Sequence, residues 1–222
     1  YDNAKDFFDT GITWSNSLNV AQMLDKSSYS ISLGNTHQDG IISSTGMDRY
    51  NVKVSADTKL TNNWSSGFTA NYITTSIDKA VTSGNGLLRT VYAAPPSYDL
   101  AGIPSHVDGN PYTQNSFRGS FDNAYWAMEN NKFTEDTNRF FGNVYASYQT
   151  DFGTTNHKLN AKYMVGVDAY TTHYVDSYGY GSNTGGGRGQ IENYGWTNAT
   201  YNSLLTINYD WHINEDWGLN AV

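Results

Sequence analysis

Arg49-Tyr50-Asn51-Val52-Lys53-Val54-Ser55-Ala56-Asp57-Thr58-Lys59 decides the fold class. Tyr50, Val52, Val54 and Ala56 fall on one side of this stretch, and Asn51, Lys53, Ser55 and Asp57 on the other. A period of two residues is that of a half-buried β-strand, and a helix would scatter the same residues around its circumference. Upstream, Ser28 to Thr36 repeats the pattern with Tyr29, Ile31 and Leu33 on one face, and Thr13 to Gln22 is a candidate strand before it. Downstream of Thr61-Asn62-Asn63, a fourth strand alternates Trp64, Ser66, Phe68, Ala70 and Tyr72 with Gly67, Thr69 and Asn71.

The pattern returns in the second half. Phe140, Gly142, Val144, Ala146 and Tyr148 share a face of a fifth strand, and Leu159, Ala161, Tyr163, Val165 and Val167 of a sixth. Leu205, Ile207, Tyr209 and Trp211 mark a seventh, and Trp217, Leu219 and Ala221 begin an eighth. Each run reaches about 9 or more residues, the length of a tilted strand crossing a bilayer, where soluble strands average ~5–6.

The connections alternate in length. Met23–Lys26, Thr61–Asn63, Asp151–Asn156 and Asn214–Asp216 are short and polar, whereas Gln38–Met47, Lys79–Asp136 and Ser177–Trp196 are long. Tight turns on one side and long loops on the other predict an antiparallel transmembrane β-barrel, with the segments 79–136 and 177–196 extracellular. Trp64, Tyr148, Phe152, Trp211 and Trp217 gather at the short-turn end, where amphipathic rings would form an interfacial girdle. The competing reading is a soluble β-sandwich whose rings fill a core.

Composition favours the barrel. Charged residues are 15% of the chain, against about 25% in soluble domains, while aromatics reach 15% with 18 Tyr and 6 Trp. Mean hydropathy is −0.59 and no run approaches the ~18 apolar residues of a membrane helix; a barrel needs only alternate residues toward lipid. There is no cysteine, hence no disulfide framework or thiolate metal site. A net charge of −8 argues against nucleic acid, whose phosphates require clustered Lys and Arg. No signal peptide opens the chain at Tyr1, and Val222 falls a few residues into the eighth strand. Because a barrel must close, the expectation is that residues 1–222 are all wall and loops, about eight strands of a larger barrel.

Chemistry-bearing motifs are sparse. Gly185-Gly186-Gly187-Arg188-Gly189 lacks the strand, helix and Lys-Ser or Lys-Thr pair of a phosphate loop and reads as a flexible loop tip. His37, His106, His157, His173 and His212 are scattered, with no metal-ligand spacing. Asp99 to Asn110 lacks the spacing of a calcium loop and reads as a turn cluster. Glu129, Glu135 and Glu192 lie in loops, with nothing in the sequence to bring two together as a glycosidase requires. No enzyme, cofactor or metal is expected. The loop aromatics Tyr92, Tyr98, Tyr112 and Trp126 are the candidate substrate-binding residues, since flat rings stack on sugar faces. Tyr125, Tyr178, Tyr180 and Tyr194 accompany them, and for every ring the alternative is packing of the loops themselves.

Two ordered sets of segments resemble one family. Asp6-Phe7-Phe8-Asp9-Thr10-Gly11, Tyr29-Ser30-Ile31-Ser32-Leu33-Gly34, Gln38-Asp39-Gly40-Ile41-Ile42 and Arg49-Tyr50-Asn51 form the first. Ala94-Pro95-Pro96, Trp126-Ala127-Met128-Glu129-Asn130-Asn131 and Asn138-Arg139-Phe140-Phe141-Gly142-Asn143 form the second. Their order and spacing are similar to the early barrel strands of SusC/RagA-type TonB-dependent transporters of Bacteroidetes, over nearly the whole chain. The resemblance implies a barrel of about 22 strands in the bacterial outer membrane, with an N-terminal plug, energised by TonB and capped by a SusD-like surface lipoprotein. It also implies oligosaccharide or peptide cargo. No plug, TonB-contacting segment or later strand is recognisable within these residues. Import of glycan fragments is the leading expectation; a passive or structural eight-stranded barrel and a soluble carbohydrate-binding β-domain are the alternatives.

Overall fold

The computed structural model describes residues 1–81, 86–153 and 156–222. Parts of two anticipated connections, residues 82–85 and 154–155, lie outside the described residues. The chain is all-β with a helical minority. Its strands are β1 (Ile12–Met23), β2 (Ser27–Asp39), β3 (Gly46–Lys59), β4 (Trp64–Lys79), β5 (His106–Val107), β6 (Asn110–Gln114), β7 (Lys132–Thr150), β8 (His157–Tyr178), β9 (Gln190–His212) and β10 (Gly218–Ala221). Helices α1 (Asn3–Phe7), α2 (Leu87–Ala93) and α3 (Ala124–Asn130), and a 3-10 turn at Thr184–Gly187, all lie outside the main sheet.

Eight strands form one antiparallel sheet in the order β1-β2-β3-β4-β7-β8-β9-β10, and β5 and β6 pair separately. The large sheet is open, with β1 and β10 as its edges. Its register carries the alternation from strand to strand without a slip. Leu18, Leu33, Val52, Tyr72, Phe140, Ala169 and Ala199 stand in one row across seven strands. The adjacent row on the other face is Asn19, Ser32, Lys53, Asn71, Phe141, Asp168 and Thr200. A shift of one residue at any pairing would have mixed the two faces.

The apolar face is not a core. Leu18, Val20, Ile31, Leu33, Phe68, Val144, Leu205 and Ile207 are all exposed, and Val144, mid-strand and mid-sheet, is 53% accessible. Left in water, each such side chain forgoes about 1.5–3 kcal/mol of burial. The buried hydrophobic cluster lies instead among the connections: Phe7, Ile42, Leu87, Val91, Leu100, Ala124, Trp126 and Ala127.

Several anticipated boundaries are corrected. β2 and β3 extend to Asp39 and from Gly46, so their connection is shorter than Gln38–Met47 and no longer than the turn after β7. The long connections are 80–131 and 179–189, not 79–136 and 177–196. The strands continue past the apolar band with polar side chains such as Asn193 and Asp136, which carry no hydrophobic alternation but still complete the backbone ladder.

On the polar face Tyr145 reaches across Gly67 of β4 and donates its hydroxyl to Asp57 Oδ1 of β3 at 2.6 Å. Lys162 Nζ sits 4.1 Å from the centre of the same ring. A Cβ at Gly67 would stand 2.7 Å from Tyr145 Cε1 and 2.9 Å from the Ala56 carbonyl oxygen, so this bridge across three strands requires glycine. Gly67→Val should therefore lower the urea midpoint of the full-length protein, by about 1–3 kcal/mol of stability. Tyr145→Phe, which keeps the ring and loses one hydrogen bond, should lose roughly 0.5–1.5 kcal/mol.

Candidate functional site

The connections at the long-loop end form a cluster built by a few polar side chains. Asn123 caps α3, its Oδ1 accepting from the amides of Tyr125 (2.9 Å) and Trp126 (3.2 Å), while its Nδ2 donates to the Asn115 carbonyl at 2.8 Å. The cap sets α3 so that Ala124, Trp126 and Ala127 face inward. α2 ends at Ala93 because Ala94 precedes Pro95 and is driven to extended backbone. α1 docks through Asn3, whose Nδ2 donates to the Tyr98 carbonyl at 3.0 Å and whose Oδ1 accepts from the Leu100 amide at 3.0 Å. Ile42, from the short connection between β2 and β3, joins the same core.

The buried carboxylate of Asp122 ties the two long connections together. Its Oδ1 accepts from Gln114 Nε2 (2.8 Å), the Asn183 amide (2.7 Å) and Asn183 Nδ2 (2.7 Å), and its Oδ2 from Ser182 Oγ (2.6 Å). Four donors compensate the desolvation of the charge, each bond to an ionised acceptor being stronger than a neutral pair.

The four candidate rings have separate fates. Trp126 is 0% exposed and its Nε1 donates to the Pro111 carbonyl at 2.8 Å, so its ring presents no face to a ligand and acts as the centre of the loop core. Tyr98 is half-buried against Phe117, with ring centres 5.7 Å apart, and burial raises its phenol above the ordinary tyrosine range. Tyr92 is 69% exposed on α2, with Phe8 at 6.4 Å. Tyr112 is 60% exposed on β6 and meets Tyr180 edge-to-face at 5.7 Å and 88°. Among the described residues no ring contact joins any two of the four. The accompanying Tyr125 is held above its ordinary pKa by burial and by the charges of Asp6, Asp9 and Asp99, and donates to the Asp6 carbonyl at 3.2 Å.

A second aromatic group lies on the polar face of the sheet. Tyr174 of β8 stacks on Tyr194 of β9 at 5.0 Å and 8°, and lies 5.1 Å from Trp196. Lys79 Nζ lies 4.3 Å from the Tyr174 ring centre and 3.4 Å from Glu135 Oε2, and the Tyr194 hydroxyl donates to Asp176 Oδ2 at 3.0 Å. Beside them Ala80, Val81, Phe133, Asp176, Tyr178 and Tyr194 line a cleft of about 500 Å³, which brings the start of the long connection over the polar face. Trp196 passes for a loop residue because 177–196 reads as one loop in the sequence, and Tyr174 falls between that loop and the apolar alternation of Leu159–Val167. The Tyr194, Trp196, Asn198 alternation was the signal available.

The remaining motifs are turns and pairs. Asp99 Oδ1 accepts from the Gly102 amide at 2.8 Å, closing a turn, and His106 Nε2 lies 3.5 Å from Glu129 Oε2. Gly185 and Gly186 hold the 3-10 turn at positive φ (71° and 67°), where glycine carries no steric penalty.

No family model matches this sequence, and no curated protein matches it. Segments far apart in the sequence meet in space: Phe7, Ile42, Trp126 and Ala127 belong to one core, with Pro95 bonded to Asn3 at its border.

Trp126→Ala should remove about 3–5 kcal/mol from this core and make residues 80–131 cleavable by dilute protease. Tyr92→Ala, at an exposed position, should leave the digestion pattern unchanged.

Proposed function

We propose that this chain is part of the wall of a transmembrane β-barrel in a bacterial outer membrane, and that its long connections form the extracellular mouth of an importer. The observation that carries this reading is the unbroken apolar face. It spans the sheet, leaves Leu33, Val52, Phe68, Val144, Val165 and Leu205 exposed, and backs onto a face rich in Asn, Ser, Thr and charged residues. Lipid on one side and water on the other would satisfy both.

The dimensions agree. Trp64, Tyr148 and Trp211 mark one border of the apolar band, and Tyr50, Tyr72, Phe140 and Tyr201 the other. Tyr201 to Trp211 covers about 33 Å along the strand. At a tilt of about 40° this projects to about 25 Å, the height of an outer-membrane apolar band. A soluble β-sandwich would place a second sheet about 10 Å away, and no described element lies over this face. An eight-stranded barrel closed on itself would pair β1 with β10, which are instead the two open edges.

The further expectation is TonB-dependent import of oligosaccharide fragments, as the barrel subunit beside a SusD-like lipoprotein. The resemblance supports this part, together with exposed rings at the mouth. Tyr112, Tyr180 and Tyr92 offer faces on the loop cluster, and Tyr174, Tyr194 and Trp196 offer an aromatic row on the polar face. Carboxylates and amides beside the row would bond sugar hydroxyls. Trp126 has a structural part only.

Arginine placed on the apolar face tests the membrane reading. In the full-length protein, Val165→Arg and Val144→Arg should lose heat-modifiable barrel on a gel, because a midplane arginine facing lipid is unfavourable by about 2–4 kcal/mol. Asn160→Arg and Thr206→Arg, on the opposite face, should assemble normally. Equal damage from both pairs would argue against lipid on either side.

Sidedness has its own test. Gly119 is exposed with open space around it, and the native chain has no cysteine. Gly119→Cys should react with an impermeant maleimide on intact cells. Labelling only after the outer membrane is broken would invert the proposed orientation.

A further inference from the structure

The two long connections come from different parts of the chain, yet their contacts make them one object. We infer that residues 106–131 and 179–189 form a single latched unit, and that the Asp122 carboxylate is the latch which positions the exposed Tyr112–Tyr180 pair.

Asp122 is 3% exposed and Ser182 0% exposed, so water does not compete for the bond between them. Three of the four donors on the carboxylate, Ser182 Oγ and the two nitrogens of Asn183, come from the second connection. The fourth, Gln114 Nε2, also donates to the Gly181 carbonyl at 2.9 Å, so one amide group grips both the latch and the opposite loop. Gln114 Oε1 accepts from the Asn123 amide at 2.6 Å, which connects the latch to the cap of α3. Thr90 Oγ1 of α2 donates to the Asp122 carbonyl at 2.8 Å and extends the network to the second helix.

The backbone at the junction is fitted to this arrangement. Gly181 has φ of 102°, and a Cβ there would collide with the Tyr112 carbonyl oxygen and lie 3.4 Å from Trp126 Cζ2. Close approach of the two loops therefore depends on a glycine next to the latch. The approach also brings Tyr180 against Tyr112, whose rings are the exposed product of the assembly. Released from Asp122, the second connection would lose three of its bonds to the first and keep the Gln114 Nε2 bond to the Gly181 carbonyl and the Gly179 amide bond to Asn131 Oδ1. The two-ring surface would then be held by fewer bonds than in the latched state.

A carboxylate held by four neutral donors is sensitive to shape as well as charge. Asparagine keeps one carbonyl oxygen for Gln114 and Asn183, and its amide can donate to Ser182 Oγ. Alanine removes the shared acceptor of Ser182 Oγ and both Asn183 nitrogens, and leaves Gln114 Nε2 only the Gly181 carbonyl.

Hydrogen exchange read by mass spectrometry on the full-length protein in detergent tests the inference. In Asp122→Ala, peptides from 106–131 and from 179–189 should both exchange about tenfold or more faster than wild type, while peptides from the centres of β7 and β8 stay unchanged. Asp122→Asn should stay within about threefold of wild type in both segments. Ser182→Ala, which removes one donor and leaves the carboxylate three, should produce a smaller rise that is again shared by both. Should Asp122→Ala fail to assemble, Ser182→Ala carries the test alone. Faster exchange in one segment without the other, or wild-type exchange in whichever of these two variants assembles, would overturn the inference.

Discussion

Everything else in this structure depends on a register that never slips. Seven antiparallel pairings hold the period-two alternation in phase, so local choices made strand by strand add up to one apolar and one polar face. The pairing itself supplies backbone hydrogen bonds with no preference for side. The side is set by residues such as Leu33, Val52 and Phe140, whose rows would break if any strand moved by one residue. Such a sheet has specified a surface without providing its cover, and the cover must come from elsewhere.

The division of labour between sheet and connections inverts that of a soluble domain. In a sandwich the sheets bury the core and the loops are solvated. Here the sheet leaves its apolar side chains exposed, while the connections bury Trp126, Leu100 and Val91 almost completely. The inversion makes physical sense if two solvents act on one chain. Strands facing lipid need no protein core, whereas connections exposed to water must build one to be ordered. Asn3, Asp122 and Asn123 serve that need, because irregular backbone has no ladder and takes its hydrogen bonds from side chains instead.

Sequence made the strands legible and the loop cluster opaque, for different physical reasons. Alternation is local, so Tyr50–Ala56 or Leu159–Val167 can be read without knowing the partner strand. It fades where strands leave the apolar band, which is why β9 is longer than its sequence suggests and Tyr194 and Trp196 pass for loop residues. The fate of Trp126 depends on contacts with Phe7, Ile42 and Pro111, far apart in the chain, and ring type alone does not distinguish a buried anchor from a stacking surface. Asp122 was invisible for the same reason: its donors are 8 and about 60 residues away.

β7, β8 and β9 run on beyond the apolar band, and there the polar face is the covered one: Phe133 and Thr172 are buried on it, and Phe133 meets Tyr178 edge-to-face at 5.0 Å. The connections thus lean over the polar side of the sheet and leave the apolar side free. Loop packing therefore makes no claim on the apolar face, and a lipid contact there would not compete with it. In a barrel, leaning inward narrows the mouth, and the opening is then set by the loop core and not by strand number. The aromatic row of Tyr174, Tyr194 and Trp196 would sit just beneath that constriction. If the sheet is the wall of a barrel that admits a ligand, that ligand would meet those rings before the polar wall below, and loop packing, more than the strands, would govern what reaches the interior.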